Sequence, residues 1–182
     1  MRIPIGKRWR ILGGLGGLIL AFVLVVVGVV VATRFHDGPL AIIAGGPFET
    51  GEWQRGSEEP DWAFLREYPT IEFQLLDPAR SRTTYVMEHE GRIFIPSRYM
   101  NTIRGKLWKH WPTEAEEDGR AILRVDGKLY ERQLVRIQEP EIVSGVLAER
   151  SRKYGNSPAA LQELVTAGDL WLFELRPRTS PR

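Results

Sequence analysis

Residues 121–137 read Ala121-Ile122-Leu123-Arg124-Val125-Asp126-Gly127-Lys128-Leu129-Tyr130-Glu131-Arg132-Gln133-Leu134-Val135-Arg136-Ile137. Two β-prone runs flank an Asp-Gly pair. That pair suits a two-residue turn in which both central residues take positive φ. The segment predicts a hairpin with strands from Ala121 to Val125 and from Lys128 to Ile137.

Upstream, the same signature recurs. Thr70 to Leu75 is β-prone, and Arg82 to Glu88 is rich in Thr, Tyr and Val. Arg92 to Pro96 alternates through Ile93 and Ile95, with Glu90-Gly91 before it as a hairpin turn. Between the hairpins, Thr113-x-x-Glu116 has the spacing of a capping box and predicts a short helix over 113–118. Pro60 to Glu67 reads as another: proline suits its first turn, Asp61 complements its dipole, and Pro69 stops it.

Downstream, Pro140 to Lys153 predicts a helix with Ile142, Val143, Val146 and Leu147 on one face, ending near Gly155. Ser157-Pro158 opens a further helix through Val165. Gly168 breaks the chain before a closing strand, Leu170 to Leu175. Hairpins with Gly-containing turns, flanked by helices, give an α+β chain built on a small antiparallel barrel.

The N-terminus has a different character. No charge interrupts the 23 residues from Ile11 to Thr33. A helix of that length spans roughly 34 Å, enough for a hydrocarbon core of about 30 Å. A cleaved signal has an apolar region of about 7–15 residues, so an uncleaved anchor is preferred, although Val30-Val31-Ala32 offers a small-residue cleavage site. Arg2, Lys7, Arg8 and Arg10 precede the span, and Arg34 follows it. This asymmetry places the N-terminus in the cytoplasm and the domain outside, in a bacterial periplasm or at an outer face.

The expected organisation is therefore a basic cytoplasmic tail (1–10), a transmembrane helix (11–33), a linker or lead-in (34–58), the barrel domain (59–176) and a flexible tail (177–182). Gly38-Pro39 and Gly45-Gly46-Pro47 punctuate the lead-in, and Ile42-Ile43, Phe48 and Trp53 suggest that part of it packs on the domain. Gly13 and Gly17 form a GxxxG pair, which lets two membrane helices approach closely.

Charge composition narrows the function. The chain has 25 basic and 23 acidic residues; without the four basic residues of the first ten, 21 face 23. The soluble part is near neutral and lacks a nucleic-acid footprint. There is no cysteine, which excludes a disulfide, a thiolate metal site and a cysteine nucleophile. The nucleophile elbow, the HExxH helix, the phosphate loop and the GxGxxG fingerprint are all missing. His36, His89 and His110 have no metal-ligand spacing and read as surface residues. Glu114, Glu116, Glu117 and Asp118 read as a solvated helix face.

Polar and aromatic residues are densest in Ser97-Arg98-Tyr99-Met100-Asn101-Thr102-Ile103-Arg104-Gly105-Lys106-Leu107-Trp108-Lys109-His110-Trp111. Its cations and hydroxyl and amide donors suit a phosphate or carboxylate, and its tryptophans suit a flat ring. The alternative keeps Trp108 and Trp111 in the core and the basic residues in water. Arg82-Thr83-Thr84 on a neighbouring strand offers further donors.

These residues carry a resemblance. Ser81-Arg82-Thr83-Thr84-Tyr85-Val86, Glu90-Gly91-Arg92-Ile93-Phe94-Ile95, Arg104-Gly105-Lys106-Leu107-Trp108 and Asp118-Gly119-Arg120-Ala121-Ile122-Leu123-Arg124-Val125 resemble the split β-barrel superfamily of pyridoxamine-phosphate-oxidase-like, flavin- and deazaflavin-binding proteins. The likeness spans residues 68–140 and the closing strand Trp171 to Leu175. It implies an α+β small antiparallel split β-barrel with flanking helices, here preceded by one transmembrane helix. It further implies a homodimer with the cofactor, FMN or deazaflavin, at the subunit interface. By this resemblance the cofactor phosphate is held by Arg82, Thr84, Ser97 and Lys106, while the loop 97–104 departs from the usual pattern.

Two functions follow as expectations. One is a membrane-anchored flavin- or deazaflavin-dependent oxidoreductase, in which the cofactor supplies the reactive atom. The other is a non-catalytic ligand-binding or interaction domain held at the outer face of the membrane.

Overall fold

A computed structural model describes residues 5–56 and 58–178; within it, the side chains of residues 5–13, 15, 104, 106 and 107 lie outside the description. The basic residue Arg2 and the tail beyond Arg178 fall outside it too. The first helix, α1 (Ile5–Ala32), is long and apolar enough to cross a membrane, with a mean hydropathy of 2.8 over Gly16–Phe35. Its large apolar side chains from Leu18 to Val31 are exposed.

Eight strands follow: β1 (Glu52–Trp53), β2 (Thr70–Leu76), β3 (Ala79–Tyr85), β4 (Met87–His89), β5 (Arg92–Arg98), β6 (Arg120–Val125), β7 (Lys128–Arg136) and β8 (Leu170–Pro177). They form one sheet in the order β3-β2-β6-β7-β8-β5-β4, antiparallel throughout, with β1 added parallel to the start of β7. β3 curls back beside β5 without a ladder between them among the described residues, so the barrel is split along that seam. Four helices flank it: α2 (Ile103–Trp108), α3 (Trp111–Glu117), α4 (Pro140–Tyr154) and α5 (Pro158–Thr166).

Both turns expected from local sequence form. Glu90 and Gly91 take φ of 53° and 74°, and Asp126 and Gly127 take 49° and 71°. Positive φ at both central residues matches the right-handed twist of the flanking strands. The expected strand Arg82–Glu88 is instead two strands broken at Val86. There Tyr154 Oη accepts from the Val86 N–H at 3.0 Å, and Lys153 Nζ donates to the Val86 carbonyl at 2.9 Å. Helix side chains replace the ladder, so pairing shifts from β2 to β5.

Register sorts the strands into two faces. Phe73 and Leu75 of β2 stand opposite Leu123 and Ala121 of β6, Ile71 shares their face, and Ile95 of β5 stands opposite Phe173 of β8. These point inward, where Trp111 plugs one end with its ring 5.0 Å from Phe73 and 5.3 Å from Phe173. The outward residues Met87, Phe94, Leu170 and Leu172 pack under Val143, Val146 and Leu147 of α4 and Leu161 of α5.

Trp111 also explains where α3 starts. The expected capping box at Thr113 does not form: the Thr113 and Glu114 N–H groups both donate to the His110 carbonyl, so Thr113 lies inside the helix. Packing of Trp111 sets the helix start two residues earlier. Nor is the acidic run one solvated face, because Glu114 turns toward Arg82, 3.6 Å away, while Glu116 pairs with Arg136 at 2.8 Å.

The lead-in lies along the barrel. The Gly46 N–H donates to the His36 carbonyl at 3.0 Å, Ser81 Oγ donates to the Gly46 carbonyl at 2.6 Å, and Arg124 bridges Asp37 and Glu72. Glu59 reaches the barrel end, where it pairs with Arg132 at 2.7 Å.

Candidate anion-binding site

Arg82, Thr84 and Ser97 share the inner face of the sheet. Arg82 stands opposite Phe73, Thr84 opposite Ile71, and Ser97 opposite Trp171. Ser97 is fully buried, with its Oγ 3.3 Å from Met100 Sδ, and it offers a ligand no surface. Arg82 donates to the Arg80 carbonyl at 3.0 Å and pairs with Glu114. Burial lowers the Arg82 pKa to about 10, against the opposing pull of Glu114. The side chain of Lys106, the fourth residue implied by the resemblance, lies outside the described residues.

One residue beyond Ser97 the strand presents its other face. Arg98 points outward in the row of Phe94 and Pro96, at the seam where β3 approaches β5. Tyr85, the last residue of β3, also points outward there. α4 covers the seam. Its buried residues Val143, Val146 and Leu147 follow helical spacing, and Arg150 continues the same stripe one turn on.

The end of α4 is fixed firmly. Tyr154 Oη bonds the Val86 backbone, and Lys153 Nζ donates to the Leu65 carbonyl at 2.6 Å. The Tyr154 ring lies 4.7 Å from that of Tyr85. Arg150 is thereby held at 7% exposure, with Nε and Nη1 buried and without a hydrogen-bond partner among the described residues. Arg98 Nε is in the same condition. Burial, then the charge of Arg98, lowers the Arg150 pKa, and only the two tyrosines oppose that shift.

The loop after Arg98 is shaped to keep this arrangement. Tyr99 takes φ of 70°, a left-handed conformation unusual for a tyrosine. Thr102 caps α2 by accepting from the Gly105 N–H at 3.0 Å. A Cβ on Gly105 would sit 1.8 Å from the Tyr99 carbonyl, so only glycine allows the turn. Lys109 Nζ returns to the Arg98 carbonyl at 3.1 Å. Tyr85 and Tyr99 each stay 51% exposed and Trp108 77% exposed. The two tryptophans thus divide, with Trp111 in the core and Trp108 in solvent.

A buried guanidinium without an acceptor is costly, since desolvation is unopposed by hydrogen bonds or an opposite charge. Arg150, with the half-buried Arg98 beside it and the exposed rings of Tyr99, 5.4 Å from the Arg98 guanidinium, and Tyr85 near, matches a ligand with an anionic group and a flat ring. A groove of about 640 Å³ elsewhere, lined by Asp37, Tyr68, Glu72, Arg124 and Asp126, has the opposite character. There Arg124 is taken by Asp37 and Glu72, and Asp126 by the Tyr68 hydroxyl at 2.7 Å. Its polar groups satisfy one another, which is what a structural clamp requires.

Sequence reasoning included Arg98 in the basic segment and missed Arg150. The available signal was its place at i+7 from Val143, where an arginine continues an apolar stripe.

No family model and no curated protein matches this sequence. Among solved structures, the chain is similar to a conserved hypothetical protein from Mycobacterium tuberculosis, with 14% identity and a TM-score of 0.48 over 67% of this chain and 81% of that one. It is similar to HutZ, the heme storage protein from Vibrio cholerae, with 14% identity and a TM-score of 0.47 over 67% and 91%. A third is a pyridoxamine oxidase-like protein from Listeria innocua, with 8% identity and a TM-score of 0.42 over 64% and 90%.

Proposed function

We propose that this is a membrane-anchored split-barrel protein that binds a phosphate-bearing, flat-ringed ligand of the FMN or deazaflavin class on the outer face of the barrel, between β3, β5 and α4. The observation that carries the reading is the pair Arg98 and Arg150, whose buried nitrogens lack acceptors among the described residues. The two guanidiniums would hold the phosphate, and Tyr85, Tyr99 and Trp108 would line the ring. A second copy of the chain against those exposed rings would close the site, in keeping with a homodimer. α1 would hold the domain at the membrane, with the positive flank of the helix inside.

The test is direct. The full chain is purified in detergent, its visible absorption spectrum is recorded, and FMN or deazaflavin is titrated in. Uptake with a chromophore spectrum supports the reading, and a colourless protein that takes up neither refutes the ligand class. Redox function is a further step: reduction of the bound cofactor by a nicotinamide donor would favour the oxidoreductase, and binding without turnover the ligand-binding domain.

A further inference from the structure

The segment just after α1 forms a tight apolar turn. The Leu40 N–H donates to the Ile43 carbonyl at 3.1 Å, and the Ile43 N–H donates back to the Leu40 carbonyl at 2.9 Å. Ala41 sits between them at φ of 51°. Turns of this kind usually carry Gly, Asn, Asp or Ser, which tolerate such backbone and face water. Here the tip is Leu40-Ala41-Ile42-Ile43. Ile42 is 98% exposed, Leu40 41%, Ile43 38%, and nearby Phe35 81%.

The turn is not loose. Its arms touch so closely that a Cβ on Gly45 would sit 1.8 Å from the Gly38 carbonyl. The Gly45 N–H donates to the Ser81 carbonyl at 3.0 Å, and Asp37 is clamped by Arg124 at 2.8 Å. The base abuts the end of the helix, because the Gly46 N–H bonds the His36 carbonyl and its Cα faces the Arg34 carbonyl. Gly46 is four residues on from Ile42, so the tip lies at most roughly 14 Å from that base.

We infer that this turn seats in the headgroup layer of the same bilayer that α1 crosses, a second membrane contact that fixes the domain's orientation. The inference rests on the membrane-anchored reading above. Beyond the exposed apolar side chains of α1, Phe35 is exposed and so are Leu40, Ile42 and Ile43 of the turn. The headgroup layer is roughly 5–8 Å thick on each side, and interfacial apolar groups sink about 5–10 Å. A turn within reach of the helix end has the chain length to enter that layer. Its paired N–H and C=O groups at Leu40 and Ile43 remove backbone polarity that would otherwise oppose entry.

The chain has no cysteine, so an introduced one is unique. Full-length Ile42→Cys and Val25→Cys variants are labelled with an environment-sensitive dye and placed in phosphatidylcholine–phosphatidylglycerol nanodiscs containing doxyl lipids. The expected result is quenching at position 42 by doxyl groups near the headgroups and at position 25 by doxyl groups deep in the chains. Adding Leu40→Ser and Ile43→Ser should reduce the quenching at 42 several-fold and leave that at 25 unchanged. Water-like, unquenched emission at 42 with quenching at 25 overturns the inference and leaves the anchor standing. Absence of quenching at both positions overturns the anchor and the inference together. A shielded but unquenched label at 42 that becomes exposed when each disc holds one chain marks contact with a second copy and overturns it as well.

Discussion

Arg98 opposes the charge of Arg150 across the seam between β5 and α4, and both carry guanidinium nitrogens that are buried without acceptors among the described residues. Arg132, at 1% exposure, also has an unpartnered Nε, but both of its terminal nitrogens bond Glu59 and its guanidinium lies over the rings of Trp62 and Tyr130.

Arg150→Met should therefore leave stability unchanged or raise it, because it removes a desolvated charge and extends the apolar stripe of α4. The same change should weaken FMN binding by about 1.5–3 kcal/mol, the range for hydrogen bonds to charged groups. Thermal melts and binding titrations on one preparation check both parts. A residue kept for folding alone would lose stability instead.

Inorganic phosphate should stabilise the protein where chloride at equal ionic strength does not. Binding to the folded state at a hundred times the dissociation constant adds about 2.7 kcal/mol. The increment should vanish in an Arg98→Met, Arg150→Met double variant, as read by the midpoint of urea unfolding.

Arg82 separates the two faces of the sheet. Removing it leaves the Glu114 carboxylate facing the barrel end without its partner. Arg82→Ala should lower stability by about 1–3 kcal/mol and change ligand affinity much less than Arg150→Met does. The reverse outcome would return the phosphate site to the inner face, where the resemblance places it.

Glu59→Ala should be among the most damaging single changes, since it strands Arg132 in the barrel end. Glu59 is half-exposed while Arg132 is buried, so leaving the arginine without its partner costs about 1–3 kcal/mol. Adding Arg132→Met should recover part of the loss in calorimetry.

The lead-in should detach in acid. Burial acts to raise the Asp37 pKa, but hydrogen bonds from Thr50, the Glu49 N–H and Arg124 outweigh it and set the value at about 2. Since 3.8 is the ordinary value, the folded form binds its proton less readily than the unfolded one. The contribution is thus complete above the ordinary value and is lost as pH falls toward 2. Protection of the Gly45 and Gly46 amides against hydrogen exchange, taken relative to the intrinsic rate at each pH, should fall over that window, and Asp37→Asn should abolish the dependence.

How much of this was legible in the sequence depended on range. The Asp126-Gly127 and Glu90-Gly91 turns were readable because two residues decide them. The break at Val86 was not, because its cause is Tyr154 and Lys153 at the far end of α4. Trp111 overrode the cap expected at Thr113 by packing on Phe73 and Phe173. Parity separates the two assignments of the anion site. Ser97, which the resemblance implies, and Arg98, proposed above, are adjacent in sequence yet occupy opposite faces of β5. Arg150 was invisible as a partner of Arg98 because only the tertiary docking of α4 brings them together.

The most direct measurement compares FMN with riboflavin, which lacks the phosphate, on the full chain and on Arg150→Met. In the native chain FMN should bind more tightly than riboflavin by about 1.5–3 kcal/mol, and in the variant most of that preference should be lost, Arg98 keeping the remainder. Equal binding of FMN and riboflavin by the native chain, or an FMN preference that survives the substitution undiminished, would contradict the assignment of Arg98 and Arg150 as the anion site.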